Sequence, residues 1–107
     1  TNPSRITIPA AYAGMKGRLF ANVTWAANSV GLRRVEILRG GATLVARDSR
    51  LTVAAADLTD QAVQTPWLIL ASGDYFEVRC TQGSGGALNV NSSAAYSPIF
   101  GIEVSGT

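Results

Sequence analysis

Histidine is absent from the 107 residues, and cysteine occurs once, at Cys80. Without histidine, imidazole acid–base catalysis and the histidine–cysteine zinc patterns are excluded. A single thiol cannot close an intramolecular disulfide. Charge is also scarce: charged residues make up 15% of the chain, with nine Lys and Arg against seven Asp and Glu, for a net charge of +2. That is too little for a polybasic nucleic-acid arm. Lysine occurs once, at Lys16, so the cationic character is that of arginine, which suits planar pairing with carboxylate or phosphate. The longest strongly apolar run, 67–71, falls far short of the ~20 residues a membrane helix needs, so membrane insertion is not expected. The opening Thr-Asn-Pro-Ser has no basic region followed by an apolar stretch, so no signal peptide is visible. A leader already removed, or an excised initiator Met, fits Thr1 equally.

What the chain does contain is short alternating segments separated by Gly, Asn, Ser and Pro, the pattern of an antiparallel sandwich or barrel. Residues 1–107 read as one domain. Strands are expected at 5–9, 18–25, 32–39, 43–47, 64–71, 75–82, 87–91 and 97–104, with a short one at 50–53. In 18–25, Leu19, Ala21, Val23 and Trp25 share one face, and Phe20 lies on the other. In 32–39, Val35 and Ile37 point inward and Arg34 and Glu36 outward. In 75–82, Phe76, Val78 and Cys80 alternate with Tyr75, Glu77 and Arg79. Cys80 is therefore expected as a buried core thiol, and both Trp25 and Trp67 look core-facing. Residues 28–31 and 83–86 are expected as hairpin tips, 54–63 as an irregular connection, and 72–74 as a tight turn whose own backbone donors Asp74 satisfies. Many apolar positions are alanine, so the core is thin, and self-association is the simplest source of further burial.

The order of these blocks resembles the complement C1q/tumour necrosis factor jelly-roll superfamily, most closely its bacteriophage fibre and virion versions. The likeness rests on three stretches. The first is Asn22-Val23-Thr24-Trp25 with Asn28-Ser29 and Gly31-Leu32-Arg33-Arg34-Val35-Glu36-Ile37. The second is the block from Trp67 through Gly73-Asp74 to Val78. The third is Ser97-Pro98-Ile99-Phe100-Gly101-Ile102-Glu103-Val104. Gln82-Gly83-Ser84-Gly85 also fits the phage-like versions. Together they span roughly 17–104. The resemblance implies an all-β, antiparallel jelly-roll sandwich of two sheets and eight to ten strands, assembled as a homotrimer. The loops are shorter than in many animal members, which argues against an animal-type receptor ligand.

Candidate sites follow from both readings. Phe20, Tyr75 and Ile99 lie opposite the inferred core residues and, in the jelly-roll reading, line the three-fold axis, with Glu77 and Arg79 near the seam. Asn28, Ser29, Gly31, Gly83, Ser84 and Gly85 form tip loops suited to binding, since loops on rigid scaffolds most often carry it. Arg33, Arg34, Arg39, Arg47 and Arg50 fall in one stretch and offer a basic patch for an anionic glycan, lipid phosphate or acidic virion partner, or else simply form solvated edges and ion pairs. No interleaved aromatics mark that stretch as a nucleic-acid platform. Asp57 and Asp60 offer oxygen ligands but too few for a calcium loop. No catalytic residue, metal or cofactor is expected. The expected function is a non-enzymatic virion structural and adhesion protein (a fibre, spike or head decoration) on the virion exterior. It would be assembled in the host cytoplasm and contact other virion proteins or a host surface glycan. The alternative is a carbohydrate-binding module of a larger secreted protein, with Tyr12, Trp25, Trp67 and Tyr96 as its available aromatics.

Overall fold

A computed structural model of the chain describes residues 5–25, 31–51, 59–83 and 99–105. Its elements are β1 (Arg5–Thr7), a 3-10 turn (Ala10–Tyr12), β2 (Lys16–Trp25), β3 (Leu32–Arg39), β4 (Thr43–Leu51), β5 (Thr59–Gln64), β6 (Leu68–Ile69), β7 (Tyr75–Gln82) and β8 (Ile99–Ser105). All strand pairings are antiparallel. The first sheet runs β1-β7-β3-β4. The second is built on β2, with β8 along one edge and β5 then β6 along the other. The described residues thus form an all-β sandwich of two four-stranded sheets.

The core follows from period-two alternation. Leu19, Ala21, Val23 and Trp25 of β2 meet Val35 and Ile37 of β3 and Phe76 of β7, all buried. Ile8, Val63 and Leu70 complete the buried cluster, and Val78, Phe100, Ile102 and Val104 pack partly buried around it. The expected inward residues of β2, with Val35 and Ile37 of β3 and Phe76 of β7, are therefore buried, but two residues expected in the core are not part of it. Cys80 is exposed rather than buried. It shares a row with buried Val35 on β3, and among the described residues the pairing of β1 with β7 reaches only Glu77. Trp67 is exposed as well, outside the core altogether.

Several segment expectations differ from the structure. Residues 43–51 form one strand, kept continuous by a β-bulge where Ile37 pairs Ala46 and Leu38 pairs Leu44. β2 and β3 belong to different sheets and so do not pair with each other, and of the tip expected at 28–31 only Gly31 lies among the described residues. The segment expected to be irregular contains β5, and the expected strand at 64–71 reduces to β6. The cause is local. Pro66 has no N–H to give the ladder, and Thr65 bridges the gap with both of its groups. Its backbone N–H donates to the Leu19 carbonyl (2.9 Å), and its Oγ1 accepts from the Leu19 N–H (3.0 Å). The chain thus stays on the edge of β2 across the proline. The strand expected at 87–91, and the residues Asn28, Ser29, Asp57, Ser84, Gly85 and Tyr96, lie outside the described residues.

Candidate functional site

The acidic side chains show how the molecule uses its charge. Six of the seven lie among the described residues, and each is tied to another side chain. Arg5 pairs with Glu77, Arg18 with Glu103, Arg50 with Asp48, and Thr24 donates to Asp60. Arg39 donates through Nε and Nη2 to Asp74, and also reaches the Ile69 carbonyl (2.8 Å). The Asp74 carboxylate therefore anchors the end of β3 rather than satisfying its own turn. Between the sheets, Gln61 accepts from Trp25 Nε1 (2.7 Å) and donates to the Arg33 and Asp48 carbonyls. This fixes a buried polar bridge from β5 to β3 and β4.

Glu36 is the most deeply held of the acids. The sequence places it outward, and it does lie on the outer face of the first sheet, yet its side chain is only 2% exposed. Arg47 on β4 and Arg79 on β7 are its direct cross-strand neighbours. Arg47 donates to Oε2 from Nε (2.9 Å) and Nη2 (2.6 Å), and Arg79 Nε donates to Oε1 (3.0 Å). Burial alone would raise the Glu36 pKa. Hydrogen bonds and positive charge from Arg47 and Arg79 outweigh it and hold the carboxyl below its ordinary value. The alternation of Arg34, Glu36 and Arg47 in the sequence signals a charged outer face, but not that two arginines would close over the glutamate.

The outer face of the second sheet is different in kind. Phe20 lies half-buried across Gly101, its register partner on β8, where any β-carbon would run into the ring. Glycine at 101 gives the ring its seat. Beside it a shallow depression is lined by Asn22, Ala62, Gln64 and Glu103. Ile69 (59% exposed), Ile99 (52%) and Trp67 (45%) are exposed large apolar side chains of this sheet and its β5–β6 connection. Arg18 stacks over the Trp67 ring, 4.5 Å from its centre.

The expected sites are thus partly regrouped. Phe20 and Ile99 share one face, but Tyr75 lies on the opposite sheet, so the three do not form one patch. Arg5 sits over the Tyr75 ring at 4.1 Å, and the Tyr75 hydroxyl donates to the Gly40 carbonyl. Glu77 and Arg79 belong to that same first sheet. The basic stretch also divides. Arg33 is fully buried near the Trp25 ring, while Arg39 and Arg50 are held by Asp74 and Asp48. Only Arg34 and Arg47 remain together on the outer face, where Arg79 joins them. Gly31 and Gly83 do meet: Gly31 has φ +84°, a built β-carbon there would strike the Gly83 carbonyl, and the Gly83 N–H donates to the Leu32 carbonyl.

Among the described residues no helix is long and apolar enough to cross a membrane. Comparison of the chain with protein-family models, curated proteins and solved structures finds no match.

Proposed function

We propose that the chain is a non-enzymatic structural and adhesive module of a virion exterior, a jelly roll of the C1q/tumour necrosis factor kind that works as a homotrimer. The observation that carries the reading is the set of large apolar side chains on the outer face of the second sheet, Phe20, Trp67, Ile69 and Ile99, on a sandwich whose own core is small. Apolar groups gathered on one side of a small domain mark an association surface. The non-enzymatic part is supported by the use of the carboxylates, each described one being engaged in a side-chain contact. The jelly-roll part is supported by a chain that passes repeatedly between the sheets, from β1 to β2, β2 to β3, β4 to β5, β6 to β7 and β7 to β8. Assembly would repeat any binding surface around the axis, and weak contacts would then gain about 10²–10⁴-fold through avidity.

Light scattering tests the assembly. The parent is expected as a trimer, and the double variant Ile69→Asp, Ile99→Asp as a folded monomer. A monomeric parent, or an intact trimer in the variant, overturns the use of this face. Immunolabelling of purified particles tests the location: absence from the exterior rejects the virion role. The exposed Trp67 favours the second reading, a carbohydrate-binding module. Quenching or shift of its fluorescence by neutral oligosaccharides, with a monomeric parent, would support that reading instead.

A further inference from the structure

We infer that the outer face of the first sheet is a binding surface for an anionic polysaccharide, with Arg34, Arg47 and Arg79 as its cationic contacts. These three arginines come from three adjacent strands, β3, β4 and β7. By sheet geometry the backbones of Arg47 and Arg79 stand about 10 Å apart, with Arg34 about 8 Å from each. Arg5 and Glu77 on the same face pair with each other, and the remaining three guanidinium groups against the Glu36 carboxylate leave a local charge of +2.

The carboxylate also sets their orientation. Glu36 is buried beneath the pair and engages Nε and Nη2 of Arg47 and Nε of Arg79. Arg34 likewise donates Nε to Ser49 Oγ (3.0 Å). Arg47 and Arg79 remain 44% and 56% exposed, so their outer N–H groups face solvent. Arg34 and Arg79 are held at Nε and Arg47 on one edge of its guanidinium, so less rotamer freedom is lost when an oxyanion binds.

The neighbours select the kind of polyanion. Ser49 and Thr81 are the cross-strand partners of Arg34, and both are exposed. A hydroxyl beside each guanidinium contact suits a chain carrying hydroxyls as well as charge. The aromatic ring of this face, Tyr75, is covered by Arg5, which removes it as a platform for a nucleic-acid base. A flat face of regularly spaced cations fits an extended sugar polymer bearing sulfate or carboxylate groups.

The inference adds a ligand to the adhesive reading and does not depend on assembly, because the face lies on the opposite sheet from Phe20 and Ile99. Binding is measured on immobilised dextran sulfate, alginate and neutral dextran at about 0.15 M salt, where exposed charges more than about 8 Å apart are largely screened. Retention by dextran sulfate or alginate, but not by dextran, is expected, and the stronger of the two identifies sulfate or carboxylate as the preferred group. Arg34→Gln, which leaves the Glu36 cluster untouched, should weaken binding about tenfold, the value of one charge-assisted contact. Lys16→Gln makes the same charge change on the other sheet and should leave binding unchanged. Equal losses in both variants would reduce the effect to net charge and overturn the site. No retention on either polyanion, or tighter binding to duplex DNA or phosphatidylserine vesicles, would overturn it as well. Light scattering on the same samples reports assembly separately, so failure of the trimer and failure of this face are distinguishable.

Discussion

Replacing Glu36 by glutamine tests whether the buried carboxylate holds three strands of the first sheet together. The native side chain accepts three hydrogen bonds from two guanidinium groups. Glutamine keeps one acceptor oxygen but turns an NH₂ toward one of the arginines, donor against donor. Breaking a buried ion pair costs about 3–5 kcal/mol. Here both arginines are about half exposed and can turn to water, so the loss should fall near 2–3 kcal/mol. For a domain of this size that lowers Tm by about 10 °C near neutral pH. The pH dependence has a definite sign. The folded Glu36 pKa lies below its ordinary value. Its contribution is therefore complete above about pH 4.3, the unfolded value, and is lost as pH falls through the folded value. The parent should lose this increment on acidification while Glu36→Gln has none to lose, so the Tm gap should narrow from about pH 7 to about pH 3. Thermal melts followed by circular dichroism across that range decide it. Equal Tm values at neutral pH, or a gap that stays constant down to the acid end, would refute the account.

Phe76 is fully buried, so Phe76→Ala should cost on the order of 3–5 kcal/mol, read as a fall in the denaturation midpoint; an unchanged midpoint would reject its place between the sheets. Gly101→Ala should displace the Phe20 ring and cost about 1–3 kcal/mol, with most of it recovered in the double variant Phe20→Leu, Gly101→Ala. No loss in the single variant, or no recovery in the double, would count against the seat. Cys80 is exposed while burial of its thiol raises the pKa, so a thiol reagent should label the native protein fully but more slowly than free cysteine. Labelling that begins only on unfolding would show the thiol to be enclosed.

The strands that could be read from the sequence are those whose inward positions are all apolar or small. β2 alternates without interruption, and its inner face was legible residue by residue; β3 and β7 were legible at Val35, Ile37 and Phe76, while buried Arg33 and exposed Cys80 depart from the pattern. β5 was not, because one of its two buried inward positions is Gln61, which reads as a surface residue unless Trp25 is known to donate to it. The stretch 64–71 reads as one apolar strand, yet Pro66 interrupts the ladder and sends Trp67 outward. Burial of Glu36 was invisible for a related reason: it needs Arg47 from the next strand and Arg79 from 43 residues along the chain to close over it together. Outer faces suffer most, since Tyr75 and Phe20 look equivalent by alternation and only the sheet order separates them.

The close approach of Gly31 and Gly83 bears on how this scaffold tolerates change. One residue enters β3 and the other leaves β7, and their backbones meet with no room for a side chain on Gly31. A substitution at Gly31 faces both an unfavourable φ and a collision with a carbonyl, so drift at that codon is strongly opposed. Sequence changes or insertions before Gly31 and after Gly83 start from a fixed point and need not disturb the register of β3 on β7. A repertoire with altered sequence before Gly31 and after Gly83, and both glycines kept, should therefore fold far more often than one that randomises them.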